Sequence, residues 1–366
     1  MFLRYLTVQG FRNIEKAELE FNGGTNVFYG DNAQGKTNAL EAIFLLSATK
    51  SFRKAKDSDL IRFGEDHAFI KGVYTENGTD EEIKIEFEKE GRKKIFIDSM
   101  PLEKNSYAVG RLLTVIFTPD HLSLVKFAPE ERRRFLDLAL CQSSPVLLRD
   151  YKDYNRIISQ KNSLIRSYKE KGICDFGYFE ILNEKLSVLC ANIAIARSEI
   201  CESLSFNASK AYNEMTKEKE ELSFEYKKSA KEAVLKEDLI KEYCEILKKK
   251  LNEELSAGFC TQGIHRDDVR IMINGKSVRE FASQGQQRSV VLSMKLAEGE
   301  YISLKRGSMP VFLFDDLLSE LDFKRREYIL EKISGKQVII SSCNEEFHKD
   351  SAVNKYLVKN GNFYKK

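Results

Sequence analysis

Hydrophobic positions along this chain change their period from one region to the next. Near the start, Leu3, Tyr5 and Thr7 alternate with other residues, and Ile83-Lys84-Ile85-Glu86-Phe87 alternates cleanly. That is the period-2 pattern of strands with one buried face, so residues 1–120 read as β-rich. Between Val146 and Ala257 only Gly172 and Gly177 interrupt, and there is no Pro. A stretch without breakers predicts helices. Within it Leu182, Leu186, Leu189, Ile193 and Ala196 recur at spacings of three and four, an amphipathic stripe. Leu222-Ser223-Phe224-Glu225-Tyr226 alternates instead and reads as one short strand. Residues 258–366 mix both periods: a hairpin at Asn274-Gly275, a helix over about 286–304, and strands at 311–314 and 337–342. A second Asn-Gly turn falls at 360–361. The pattern predicts an α/β head assembled from residues 1–125 and 258–366, with a mostly helical insertion over 126–257.

Composition narrows the class. The 366 residues are 42% hydrophobic and 31% charged, enough apolar material for cores and too much for a disordered chain. Lys plus Arg number 59 against 56 Asp plus Glu, a net charge of +3, which excludes a histone-like polycation but leaves room for a local basic face. No apolar stretch approaches membrane-spanning length and no apolar leader precedes the first strand. The seven Cys (141, 174, 190, 201, 244, 260 and 343) show no metal-ligand spacing and fit reduced thiols, mostly core fillers. The expected location is cytoplasmic. The four His have no ligand spacing either, and His265 reads as a hydrogen-bonding scaffold residue.

Gly30-Asp31-Asn32-Ala33-Gln34-Gly35-Lys36-Thr37 matches the phosphate-binding pattern GxxxxGK[ST] in full. Its glycines let successive N–H groups curl toward the α and β phosphates of ATP. Lys36 would reach the β and γ oxygens, and the Thr37 hydroxyl would ligate Mg²⁺. Thr25–Tyr29 is a strand feeding the loop, and Leu40, Ile43, Phe44 and Leu46 mark the helix after it, whose N-terminus favours an anion. Far downstream, Val311-Phe312-Leu313-Phe314 ends in Asp315 and Asp316. A strand buried on both faces delivers Asp315 at its C-terminal edge, where it would hold Mg²⁺, and Asp316 would accept a hydrogen bond from the attacking water. Between the two lies Ser283-Gln284-Gly285-Gln286 at the start of a helix, a second anion-favouring helix terminus.

These motifs together resemble the ABC-type ATPase heads of the SMC kind, and within them the RecF family of bacterial recombination mediators. The resemblance rests on Gly-Phe-Arg-Asn (10–13), the loop through Asn38, Lys-Ser-Phe-Arg (50–53), His-Arg-Asp-Asp (265–268), Ser-Gln-Gly-Gln-Gln-Arg (283–288) and Asp-Asp-Leu-Leu-Ser-Glu-Leu-Asp (315–322). It implies an ABC/SMC-like P-loop head with a helical inserted domain. It further implies an ATP-gated DNA clamp that dimerises on ATP, a weak DNA-stimulated ATPase, and RecR- and RecO-type partners. By the same resemblance Ser283, Gly285 and Gln286 would contact the γ-phosphate held by a second copy, Ser319–Asp322 would cross the dimer interface, and Arg12 would lie near the nucleotide. Two departures stand out: Asp316 occupies the place of the usual Glu, and the strand ending at Cys343 lacks the His of many ABC heads. No clear glutamine loop is found; Thr118-Pro119-Asp120-His121 is the candidate.

Basic clusters supply DNA-binding candidates: Lys50, Arg53, Lys54 and Lys56 after the loop helix, and Arg149, Lys152 and Arg156, interleaved with tyrosines. At least one residue of Arg132-Arg133-Arg134 is expected in a structural ion pair. The Lys/Glu-rich run 217–254 reads as a helix laced by i,i+4 pairs. Two other readings fit the sequence less well. A metabolic P-loop kinase would have no use for Ser283–Gln286. An SMC-like structural chromosome protein would need a long heptad coiled coil, which an insertion of this length shared among several helices does not provide.

Overall fold

The computed structural model describes residues 1–126, 129–172, 175–217, 219–230, 235–318, 321–343 and 353–366. They form two compact units. One comprises Met1–Leu122, Lys210–Lys219 and Arg288–Lys366; the other comprises Ser123–Ser209 and Glu220–Gln287.

The first unit contains two six-stranded sheets. The antiparallel one is built from β1 (Phe2–Phe11), β2 (Ile14–Glu20), β4 (His67–Glu76), β5 (Thr79–Glu88), β6 (Lys94–Ile97) and β7 (Met100–Pro101), in the order β2-β1-β4-β5-β6-β7. The other runs β15-β14-β3-β13-β12-β8, from β3 (Thr25–Tyr29), β8 (Thr114–Phe117), β12 (Val311–Asp315), β13 (Val338–Ser342), β14 (Asn354–Lys359) and β15 (Asn362–Lys365). All its strands are parallel except β15. Every residue of β12 is buried, as its continuous apolar run requires of a parallel strand covered on both faces. Between the sheets lies α1 (Lys36–Ala48), packed on β12 and β13 on one side and on β1 and β4 on the other. It is buried on nearly every side for that reason, from Ala39 to Ala48. The close approach to β4 needs Gly72, where a Cβ would meet Leu46 Cδ1 at 2.5 Å.

The second unit packs α2 (Ser123–Lys126), α3 (Pro129–Ser143), α4 (Pro145–Lys171), most of α5 (Phe176–Thr216), α6 (Lys236–Lys249) and α7 (Leu251–Ala257) with a three-stranded sheet. That sheet is β11 (Lys276–Ser277), β10 (Asp268–Ile273) and β9 (Leu222–Lys227). α8 (Val278–Phe281) and the first residues of α9 (Gln284–Arg306) follow; α10 (Phe323–Lys332) belongs to the first unit. The buried guanidinium of Arg197 donates to both oxygens of Asp137 at 2.9 Å and to the Ile264 carbonyl at 2.7 Å. Buried Asp267 accepts from Ser229 and Tyr226. Tyr154 shares a 2.6 Å hydrogen bond with His265 Nδ1, and burial depresses the His265 pKa. The His-Arg-Asp-Asp segment is thus scaffold.

Three expectations change. Residues 258–287 fold with the helical unit, because β10 pairs antiparallel with β9 from Asp268↔Lys227 to Ile273↔Leu222. Residues 210–219 instead join the head, where Met215 lies in the core and Glu214 pairs with Lys332 at 2.8 Å. The charged run 217–254 is also no single helix: it holds β9, α6 and the start of α7, and among its described residues Lys249 pairs with Glu245 at i,i+4. Arg132 does form an ion pair, with Asp268 at 2.8 Å.

Candidate functional site

β3 delivers the glycine-rich loop at its C-terminal end. Gly30 and Gly35 take φ of 143° and 119°, conformations that side chains rarely adopt. A Cβ on Gly30 would meet the Val358 carbonyl oxygen at 2.5 Å, and one on Gly35 would meet Asn13 Oδ1 at 2.9 Å. Asn13, in the turn between β1 and β2, is a brace: its Oδ1 accepts from Asn38 Nδ2 at 2.8 Å and its Nδ2 donates to the Ala33 carbonyl at 3.3 Å. Lys36 is only 5% exposed, and its ammonium lies in the curl of the loop, 2.5 Å from the Gly30 oxygen and 2.9 Å from that of Asp31. A buried cation beside the amides of a helix N-terminus is the electrostatic complement of a polyphosphate.

The sheet brings the acidic strand to this loop. With β13 between β3 and β12, Asp315 is registered opposite Ser341. Thr37 Oγ1 donates to Asp315 Oδ1 at 2.6 Å, and Ser341 Oγ donates to the same oxygen at 2.9 Å. Burial raises the Asp315 pKa, against the two hydroxyl bonds, and the Asp316 charge raises it further. A carboxylate and a hydroxyl in contact are the hard oxygen set that Mg²⁺ accepts when phosphates and water complete its shell. Among the described residues no cluster of three or more His, Cys, Asp or Glu could hold a metal by itself. Asp316 has φ 48°, a left-handed conformation unusual for a residue with a side chain, and its N–H donates to Ser341 Oγ at 2.9 Å.

Three groups at this site lay outside the sequence reading. Cys343 Sγ donates to Asn32 Oδ1 at 2.9 Å and lies 3.8 Å from Lys36 Nζ and 3.6 Å from Asp316 Oδ2. Burial and Asp316 raise its pKa while Lys36 opposes them. The signal in the sequence is its position at the end of the strand that lacks the His of many ABC heads. Ser341 is the second group. Glu41, fully buried one turn beyond Thr37, is the third, and it holds Arg12. Arg12 donates through Nε and Nη2 to its carboxylate at 3.0 and 2.9 Å and through Nη1 to the Asp59 carbonyl at 3.0 Å. Its guanidinium is committed to α1, and an approach to a nucleotide would require exchanging these partners. Arg53 donates to Asn38 Oδ1 at 3.2 Å and acts electrostatically on Asp315, so it belongs to the loop's surroundings.

Ser283–Gln286 starts α9 as a reciprocal capping box. The Gln286 N–H donates to Ser283 Oγ at 3.2 Å, and the Ser283 N–H donates to Gln286 Oε1 at 3.0 Å. Gln286 Nε2 also reaches Glu220 at 3.3 Å, while Ser283 and Gln284 are exposed. Of the loop after β12, Ser319 and Glu320 lie outside the described residues; Asp322 caps α10 by accepting from the Arg325 N–H at 3.0 Å. The Thr118 N–H donates to His121 Nδ1 at 3.0 Å just past β8.

Lys50, Lys54 and Lys56 are exposed on the segment that follows α1. That segment is pinned by Ser51 Oγ donating to Glu41 at 2.5 Å and by Lys93 donating to the Thr49 carbonyl at 2.5 Å. Arg149, Lys152 and Arg156 are exposed on α4 at spacings of three and four, one face of the helix, with Arg156 paired to Asp153 at 3.0 Å. Among the described residues no helix is long and apolar enough to cross a membrane.

Residues 2–363 match the family model of the RecF/RecN/SMC N-terminal domain. The chain is 36% identical to the DNA replication and repair protein RecF of Thermoanaerobacter pseudethanolicus, covering 95% of this chain and 96% of that protein. It is likewise 36% identical to the RecF of Ruminiclostridium cellulolyticum, over 100% and 97% of the two chains. A solved structure of the recombination mediator protein RecF with ATP in the RecFOR pathway aligns with a TM-score of 0.91 at 34% identity, covering 100% of this chain and 99% of that one. The Smc head domain of Pyrococcus furiosus, at 15% identity and a TM-score of 0.57, shares the fold. On this full-length similarity and on the loop and acidic strand that its sheet brings together, the chain belongs to the RecF family of DNA replication and repair proteins, with an ABC/SMC-type ATPase fold.

Proposed function

We propose that this chain is an ATP-gated DNA clamp. Two copies close on two ATP molecules, grip DNA, and reopen after slow hydrolysis. The observation that carries the nucleotide reading is the 2.6 Å contact between Thr37 and Asp315, residues 278 positions apart, beside the buried ammonium of Lys36. Gly30–Thr37 would hold the phosphates, and Thr37 with Asp315 would hold Mg²⁺, which neutralises charge on the β and γ oxygens when bound. Asp316 would orient and accept a proton from the attacking water. Ser283, Gln284, Gly285 and Gln286 would complete the site of the other copy.

DNA is the proposed macromolecular ligand, approached through Lys50, Arg53, Lys54 and Lys56 and through Arg149, Lys152 and Arg156. RecR- and RecO-type mediators are the proposed protein partners, recombinase loading at gaps the proposed outcome, and the cytoplasm the place. The test is fluorescence anisotropy of labelled DNA titrated with the full chain in ATP and in ADP, at several salt concentrations. Tight binding in ATP with a steep salt dependence supports the clamp; equal binding in both nucleotides contradicts it.

A further inference from the structure

The last two strands of the chain close against the glycine-rich loop. β14 runs parallel to β3, with Leu357 opposite Tyr29 at the point where the loop begins. Its turn into β15 meets the loop again further along. There the Asn360 N–H donates to Gln34 Oε1 at 2.6 Å, and the Gly361 N–H donates to the Gln34 carbonyl at 2.8 Å. Both turn residues are left-handed, with φ of 49° and 78°, and a Cβ on Gly361 would meet the Asn13 carbonyl oxygen at 2.3 Å. The loop is therefore bonded at Ala33 by Asn13 and at Gln34 by the Asn360–Gly361 turn, and the Val358 carbonyl leaves no room for a side chain at Gly30.

We infer that the Asn360–Gly361 turn is a positioning element of the nucleotide site. It fixes the curl of the loop so that the loop's N–H groups converge on a diphosphate before one arrives. An unsupported glycine-rich loop would lose conformational entropy on binding, whereas a loop already held in shape loses less. The contacts act on the part of the loop that grips the α and β phosphates, common to ATP and ADP. They do not touch Thr37, Asp315 or Asp316, so binding should change and chemistry should not. This inference rests on the nucleotide reading given above.

The test uses the full chain with Gln34→Ala, Gly361→Ala, their combination, and Asn360→Gly as the control that keeps both the N–H and the left-handed backbone. Calorimetric titration with ATP and with ADP is paired with steady-state hydrolysis and with the unfolding temperature in the absence of nucleotide. Gln34→Ala and Gly361→Ala should each raise Kd for both nucleotides, and KM for ATP, about tenfold, the scale of one or two lost hydrogen bonds. For Gly361→Ala kcat should stay within about twofold, Asn360→Gly should resemble wild type, and the combined variant should be little weaker than either single one. Gln34→Ala removes only a side chain at a half-buried loop position, so it reports even where Gly361→Ala disturbs the hairpin. Wild-type Kd in both single variants would overturn the inference and leave Lys36-dependent binding standing. A fall in kcat at constant KM would also overturn it. No ATP binding by the wild-type chain would overturn both the nucleotide reading and this inference.

Discussion

The two helix starts that could grip phosphate are finished to different degrees. At α1 the loop, its cation and its acidic partner lie within one unit, joined by Thr37, Asp315 and Ser341 and braced by Asn13. At α9 the Ser283 and Gln286 groups satisfy each other in a capping box, Ser283 and Gln284 face solvent, and Phe281 just before them is 69% exposed. A site whose polar groups converge on one another across a sheet can bind a nucleotide alone. A capped, exposed helix start beside a bare aromatic ring is the shape of an edge that another surface completes. The contrast predicts a division of labour: α1 decides whether ATP binds, and α9 decides what binding does.

The largest expected effects test the finished site. Lys36→Ala should weaken ATP binding about a hundredfold, because a buried charge-assisted contact to phosphate is lost. Its unfolding temperature without nucleotide should stay near that of wild type. Calorimetry checks the first and scanning calorimetry the second. Asp316→Asn should bind ATP normally and hydrolyse it about a hundredfold more slowly, since an amide keeps the shape but cannot accept the proton. Wild-type phosphate release by that variant would place the base elsewhere.

Asp315 offers a smaller effect of opposite sign. Its folded pKa is raised, first by burial, so the stability it contributes is fully present below the unfolded carboxylate pKa and is lost as pH rises through the folded value. Asp315→Asn keeps an acceptor for Thr37 and Ser341 without the buried charge. At neutral pH it should stabilise the nucleotide-free fold by on the order of 1 kcal/mol while Mg²⁺-dependent ATP binding falls. Thermal melts between pH 3 and 8 follow the sign, and a gain that is the same at every pH would refute the electrostatic cause. The smallest effects belong to the exposed cations: Lys54→Ala or Lys152→Ala should lower the logarithmic salt slope of DNA binding by about one each.

What could be read from the sequence was what is contiguous in it. The loop, the strand Val311–Phe314 with its two acids, and the Ser283–Gln286 helix start each carry their chemistry in a few adjacent residues. Residues that reach the site through sheet order were not legible. Ser341 and Cys343 matter because β13 lies between β3 and β12, and no local pattern reveals that order. Arg12 shows a second limit. A guanidinium near a phosphate loop serves equally well to bind phosphate or to hold a buried carboxylate, and Glu41, in the middle of an apolar helix, was the clue to the second use. The unit boundary was missed for a related reason. The pairing of β9 with β10, whose nearest ends are about 40 residues apart, assigns 258–287 to the helical unit, and a charged run gave no hint of it.

If the exposed start of α9 completes a second copy's nucleotide site, ATP should control association. Light scattering of the full chain, with ATP, with ADP and with a slowly hydrolysed ATP analogue, reads this directly. Only a ligand with different affinity for the two association states can shift them, and the γ-phosphate is the group that differs. Monomers are expected without nucleotide and with ADP, and dimers with ATP and more fully with the analogue. Ser283→Arg should bind ATP as a monomer and fail to dimerise, whereas Ser283→Ala, which loses the cap at about 1 kcal/mol and the hydroxyl's contact with the γ-phosphate but adds no bulk, should dimerise only at raised ATP. Equal dimer populations in ADP and ATP, or a Ser283→Arg chain that dimerises normally, would contradict the composite site.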